Sequence, residues 1–95
     1  MRLTEREKLV IKESVFDLDK GADIYLYGSR VDDDKFGGDI DLLIISNKLL
    51  SLKDKSKIRW AIYEKLGEQK IDILFSPEKI ESNFAKNILE NAIKL

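Results

Sequence analysis

Apolar positions recur along the chain with two different periods, and the change of period divides it into elements. Leu9, Val10, Val15, Phe16 and Leu18 follow a Thr4–Glu7 pair in capping-box spacing and precede Gly21. A side-chain acceptor at the start and Gly21 as the C′ residue predict a helix of roughly four turns. Asp23-Ile24-Tyr25-Leu26-Tyr27 is short, β-branched and aromatic, and it stops at Gly28-Ser29, which predicts a strand. Arg30 to Gly38 holds Asp32-Asp33-Asp34 and the pair Gly37-Gly38, and reads as a loop with room for one helical turn at its start. Ile40-Asp41-Leu42-Leu43-Ile44-Ile45 is a nearly continuous apolar run, the pattern of a strand buried on both faces except at its polar end. Between Ser51 and Leu66, Leu52, Ile58, Ala61, Ile62 and Leu66 mark a second amphipathic helix, stopped by Gly67. Ile71-Asp72-Ile73-Leu74-Phe75 is a third strand. Ser82 then caps a last helix with the stripe Phe84, Ile88, Leu89, Ala92 and Ile93.

Helix, strand, strand, helix, strand, helix predicts a small mixed β-sheet with helices packed on it, an α/β (α+β) layered fold. The expected organisation is a single domain over residues 1–95. Composition then narrows the chemistry. The chain has no Cys and no His, which excludes disulfides, Cys/His zinc sites and imidazole catalysis. Its 17 Lys+Arg against 18 Asp+Glu leave a net charge of −1, which argues against attachment to nucleic acid by bulk charge. No apolar run approaches the ~18 residues of a spanning helix. The polar, acidic start is unlike a signal peptide, so the expected location is cytoplasmic. Any reaction must use carboxylates, hydroxyls, amines and bound cofactors.

Three features fall at strand ends. Gly28-Ser29 follows a strand, where a glycine lets a phosphate approach the backbone and free amides with a hydroxyl donate to its oxygens. Alone, such a pair is more often a plain turn. Asp39 and Asp41 stand at i and i+2, on one face of a strand with Cα atoms about 6–7 Å apart. Two carboxylates so placed repel unless a cation neutralises them, and Mg²⁺ takes oxygen ligands of this kind together with substrate phosphates. Ile40 between them faces the core. Asp72 is alone among apolar strand residues, so it lies either at a wet strand edge or beside a stabilising cation. If its strand neighbours the Asp39–Asp41 strand, the three carboxylates converge. Three Asp beside a phosphate-binding turn fit two-metal phosphoryl or nucleotidyl transfer.

Tyr27-Gly28-Ser29-Arg30, followed after a nine-residue spacer (Arg30 to Gly38) by Asp39-Ile40-Asp41, resembles the signature of the DNA polymerase beta-like nucleotidyltransferases. By average composition, four fixed residues at that spacing arise by chance in about one such chain in several hundred. The sequence looks like the minimal nucleotidyltransferase (MNT) branch, whose fold is a catalytic palm with little attached. The resemblance implies that Gly28 and Ser29 bind the nucleotide triphosphate and that Arg30 contacts phosphate. It implies Asp39, Asp41 and Asp72 as catalytic metal ligands for Mg²⁺, two ions in all, with Asp72 also the base for the incoming hydroxyl and ATP as the substrate. Many MNT proteins are antitoxins of HEPN-domain toxins and are associated with transferring AMP to a toxin tyrosine. The expected partner is therefore a HEPN toxin in a hetero-oligomer, with no membrane and no direct nucleic-acid binding. A palm without its own acceptor domain would need another molecule to complete the site. Two alternatives stand beside this reading: nucleotidyl transfer to a small molecule with a second subunit, and a non-catalytic antitoxin that acts by binding.

The remaining features have two readings each. Asp32-Asp33-Asp34 departs from the family pattern, as a solvated turn or as a loose Mg²⁺ or partner contact. Trp60, off the apolar stripe of its helix, is expected to be partly buried against a neighbouring helix, or else exposed as a partner anchor. Tyr27 either lines the nucleotide site or packs in the core. Lys53, Lys55, Lys57 and Arg59 form a basic patch, by default a solvated face and alternatively a weak RNA contact.

Overall fold

Helix starts are set by capping chemistry, and the computed structural model, which describes residues 3–31, 39–79 and 82–95, shows both expected caps in place. Helix α1 (Glu5–Phe16) opens on a reciprocal Thr4–Glu7 box, each backbone amide donating to the other side chain at 3.0 Å. Helix α2 (Leu52–Leu66) opens on a matching Ser51–Asp54 box and ends on Gly67, whose φ of 82° favours glycine. Helix α3 (Asn83–Asn91) starts at Ser82, whose hydroxyl accepts from the Ala85 amide. Strands β1 (Asp23–Tyr27), β2 (Ile40–Ile45) and β3 (Ile71–Ser76) stand where the apolar runs place them. A 3₁₀ turn, Gly28–Val31, opens the loop after β1.

Among the described residues the sheet has four strands in the order β3-β2-β1-β4, where β4 is Ile93–Lys94. β1 runs antiparallel to β2 and to β4, while β2 and β3 are parallel, as a crossover through α2 requires. Ile24, Leu26, Ile40, Leu42, Ile44, Ile71 and Ile73 form one sheet face and pack against Val10, Ile11 and Val15 of α1 and Ile58 and Ile62 of α2. Leu43 points to the opposite face and is also fully buried, so β2 is apolar on both sides. This is the mixed, helix-covered sheet that the element order predicts.

The structure corrects several expectations. α1 ends at Phe16 rather than running to Gly21, because the Leu18 and Asp19 amides both fold back onto the Val15 carbonyl and tighten the chain into turns. Gly21 has no positive φ; its amide donates to the Asp19 carboxylate at 2.9 Å. The last helix stops at Asn91, since Ala92 is extended (ψ 154°) and Ile93 instead pairs with Leu26 across the open edge of β1. Its stripe is poorly buried: Ala85 is its buried residue, while Phe84 is 63% exposed. On α2, Leu52 is exposed because it occupies the first residue, before the helix reaches the core at Ile58, and Trp60 is 66% exposed rather than partly buried. The Trp60 ring meets the Tyr63 ring edge-on, at 5.9 Å and 76°. Asp32, Asp33, Asp34, Gly37 and Gly38 lie outside the described residues.

At one end of the sheet, buried Asp19 closes the structure. It accepts a close hydrogen bond from the Ser46 hydroxyl and a second from the Gly21 amide. The Ser46 amide in turn donates to the Ser76 carbonyl at 3.0 Å, and Lys48 donates to the Leu18 carbonyl at 3.0 Å. The Ser46 hydrogen bond, then that of Gly21, holds the Asp19 carboxyl below its ordinary range. A lowered folded pKa contributes stability above the unfolded value of about 3.9 and loses it as pH falls through the folded value. Replacing Asp19 by Ala is therefore expected to cost about 1–3 kcal/mol at pH 7. The gap to wild type should narrow below about pH 4, as denaturant unfolding at the two pH values will show.

Candidate active site

Strand register assembles the site at the opposite end of the sheet. Tyr27 pairs with Asp41 across the antiparallel β1–β2 ladder, and Asp41 pairs with Asp72 across the parallel β2–β3 ladder. The three residues thus form one lateral row on one sheet face, with Tyr25, Leu43 and Leu74 as the row behind. Ile40, next to Asp41, points the other way and is buried in the core.

Gly28 closes the row from above. It has φ +78°, and a Cβ at this position would overlap Asp41 Oδ2 and lie 3.2 Å from its Cγ. Glycine is required here twice, for the backbone and for the room given to the carboxylate. The following 3₁₀ turn begins directly on it.

The electrostatics of the row are unfavourable by themselves. Burial raises the Asp41 carboxyl above its ordinary range, and the charges of Asp72 and Asp39 push it further, with Lys70 opposing. Tyr27 is also raised, first by burial and then by Asp41 and Asp72. Asp72, on the edge strand, is exposed, so the negative pair opens outward. Such a pair is stabilised by a cation placed between the carboxylates and solvent. Mg²⁺ needs only one or two carboxylates beside substrate phosphates, and Asp41 and Asp72 fit that donor set.

Asp39 stands just before β2 and acts on Asp41, but its carboxylate pairs with Lys70 Nζ at 3.4 Å. Among the described residues no group of three acidic, Cys or His side chains is arranged to hold a metal ion. The structure therefore brings Asp41 and Asp72 together and leaves Asp39 beside them on a different partner. Lys70 is 76% exposed, and an exposed ion pair of this kind contributes only about 0–1 kcal/mol. Asp39 is cheaply released. Arg30 lies 4.0 Å from Glu7 on α1. Ser29 lies in the 3₁₀ turn, and its side chain is outside the described residues.

Two features escape sequence reasoning. The Lys70–Asp39 pair depends on the parallel register, which places the residue before β3 beside the residue before β2. A cleft of about 470 Å³ beside Asp72 gathers Tyr27 with Leu52, Lys55, Ser56 and Arg59 of α2. The basic spacing of α2 signals its charges, but not which of them face the carboxylates.

A mixed sheet whose strand ends gather a glycine turn and paired carboxylates defines a phosphate-handling transferase of palm type. The nucleotidyltransferase domain family model matches residues 9–95, and the chain belongs to that family, as a minimal nucleotidyltransferase domain of the DNA polymerase beta-like superfamily. No curated protein matches the chain. Among the described residues no helix is long and apolar enough to cross a membrane.

Two outcomes follow from the geometry. Gly28→Ala is expected to cost at least about 1–2 kcal/mol from backbone strain alone. In a double-mutant cycle, Asp41→Ala should recover the part of the loss due to overlap, so the two changes will not add. Asp41→Asn is expected to raise the melting temperature of the metal-free protein at pH 7. Because the Asp41 pKa is raised, stability falls as pH climbs from the unfolded value through the folded one, and the deficit persists at neutral pH. Thermal unfolding with a chelator across pH 4–8 checks this: the variant's advantage should grow with pH.

Proposed function

We propose that this nucleotidyltransferase domain is a Mg²⁺-dependent adenylyltransferase that moves AMP from ATP to a tyrosine hydroxyl of a HEPN-domain toxin, with which it forms a hetero-oligomer. The observation that carries the reading is the Asp41–Asp72 pair lying in register against Gly28. The chemistry supplied by Mg²⁺, when bound, is neutralisation of phosphate charge and acidification of the acceptor hydroxyl. Asp41 and Asp72 would hold it, joined by Asp39 on leaving Lys70.

The chain's own residues do the rest. Gly28 lets the backbone turn over Asp41, and the Ser29 and Arg30 amides that follow it in the 3₁₀ turn meet the triphosphate. Asp41, partly buried and fixed between β1 and β3, positions the nucleotide end of the site. Asp72, exposed at the sheet edge, faces the acceptor and takes the hydroxyl proton. The acceptor oxygen bonds to the α-phosphorus while the bond to the bridging oxygen breaks, and pyrophosphate leaves with that electron pair. AMP remains on the acceptor. Tyr27 lines the site beside both carboxylates.

The test is transfer of radiolabel from α-labelled ATP to a purified HEPN-domain partner in the presence of Mg²⁺. Asp41→Ala and Asp72→Ala are each expected to lower the rate by about a hundredfold or more, with the fold retained by circular dichroism. Labelling that persists in both variants sinks the proposal.

A further inference from the structure

The cleft beside Asp72 carries charges that the carboxylate row does not use. Lys55 and Arg59 lie one turn apart on α2 and both are half-buried. Lys55 Nζ sits 5.5 Å from the centroid of the Phe75 ring, and Arg59 Nη2 donates to the Ile71 carbonyl at 3.3 Å. These contacts hold both cations at the outer edge of β3. Neither forms an ion pair with a carboxylate among the described residues. The Ile71 contact engages one of the five N–H donors of Arg59 and leaves others for a ligand. The cleft wall between them and Asp72 is mixed: Ser56 is polar, while Ile73, Leu74 and the 78% exposed Leu52 are apolar.

We infer that this cleft is the acceptor-docking site and takes an acidic protein segment, its carboxylates meeting Lys55 and Arg59 and its hydroxyl-bearing residue facing Asp72. The inference rests on the transferase reading, since Asp72 is assigned to the acceptor there. An acidic peptide suits the site better than RNA for two reasons. The site presents two cations and an apolar floor rather than a long basic track. The whole chain also carries a net charge of −1. Opposite charge across the cleft steers the acceptor in, and the charge of Asp72 disfavours a carboxylate beside it.

The experiment is a chemical-shift titration of the ¹⁵N-labelled full chain, without ATP, using a short peptide with one tyrosine flanked by glutamates. Amides of residues 52–59 and 72–74 are expected to move, and a lysine-flanked peptide of the same length should leave them in place. Lys55→Glu should weaken binding by about fivefold or more, whereas Lys53→Glu, the same charge change at an exposed position outside the cleft, should alter it less than about twofold. Mg·ATP binding, measured on the same samples, should survive Lys55→Glu. Three results overturn the inference: no shifts at millimolar peptide, equal binding of both peptides, or an RNA oligonucleotide that occupies the cleft more tightly than the acidic peptide. Loss of Mg·ATP binding by the wild type would instead count against the transferase reading itself.

Discussion

Two carboxylates that would separate in water are held side by side because strand register leaves them no alternative. Asp41 is paired with Tyr27 on one side and Asp72 on the other, and Gly28 lies over it. The register is fixed from the opposite face. A one-residue slip of β2 would turn Asp41 into the core and bring out Leu42 and Ile44, both fully buried. The opposite face of β2 is apolar as well, so the cost of the slip lies in carrying the Asp41 carboxylate into the core, several kcal/mol for an unpaired charge. The repulsion between the two carboxylates, about 4 kcal/mol at 4 Å and an effective dielectric of 20, is relieved in part because Asp72 is open to solvent. The register holds, and the strain is left where chemistry can use it.

The opposite end of the sheet has the reverse character. Asp19, Ser46, Ser76 and Lys48 form a network in which each polar contact is satisfied, and the Asp19 carboxyl is held in its charged form. Hydrogen bonds there favour the charged carboxylate, whereas at the Asp41 end burial and neighbouring charge disfavour it. The fold thus separates a stabilising polar cluster from a destabilised one along the length of β2. Sites of reaction commonly sit on such uncompensated groups.

Much of this was legible in the residues. Strands β1 and β2 follow from dense apolar runs, and Thr4, Gly67 and Ser82 mark helix ends by capping chemistry that depends on near neighbours alone. Gly28, Asp41 and Asp72 were identifiable because each breaks a local pattern at a strand end. What remained hidden depends on distant contacts. The Asp19–Ser46 bond that secures the turn after α1 spans 27 residues of sequence. β4 forms because β1 has an open edge, which nothing in the Ile93–Lys94 pair announces. The Asp39–Lys70 pair and the facing of Lys55 and Arg59 towards Asp72 likewise require the parallel register.

In the proposed function the Asp41–Asp72 pair is a cation site that nucleotide completes. Calorimetric titration of ATP into the protein, with Mg²⁺ and with chelator, tests that most directly. The expected result is binding that requires Mg²⁺ and disappears in Asp72→Asn while the variant stays folded. Nucleotide binding that is equally tight in chelator and unchanged in Asp72→Asn would contradict it.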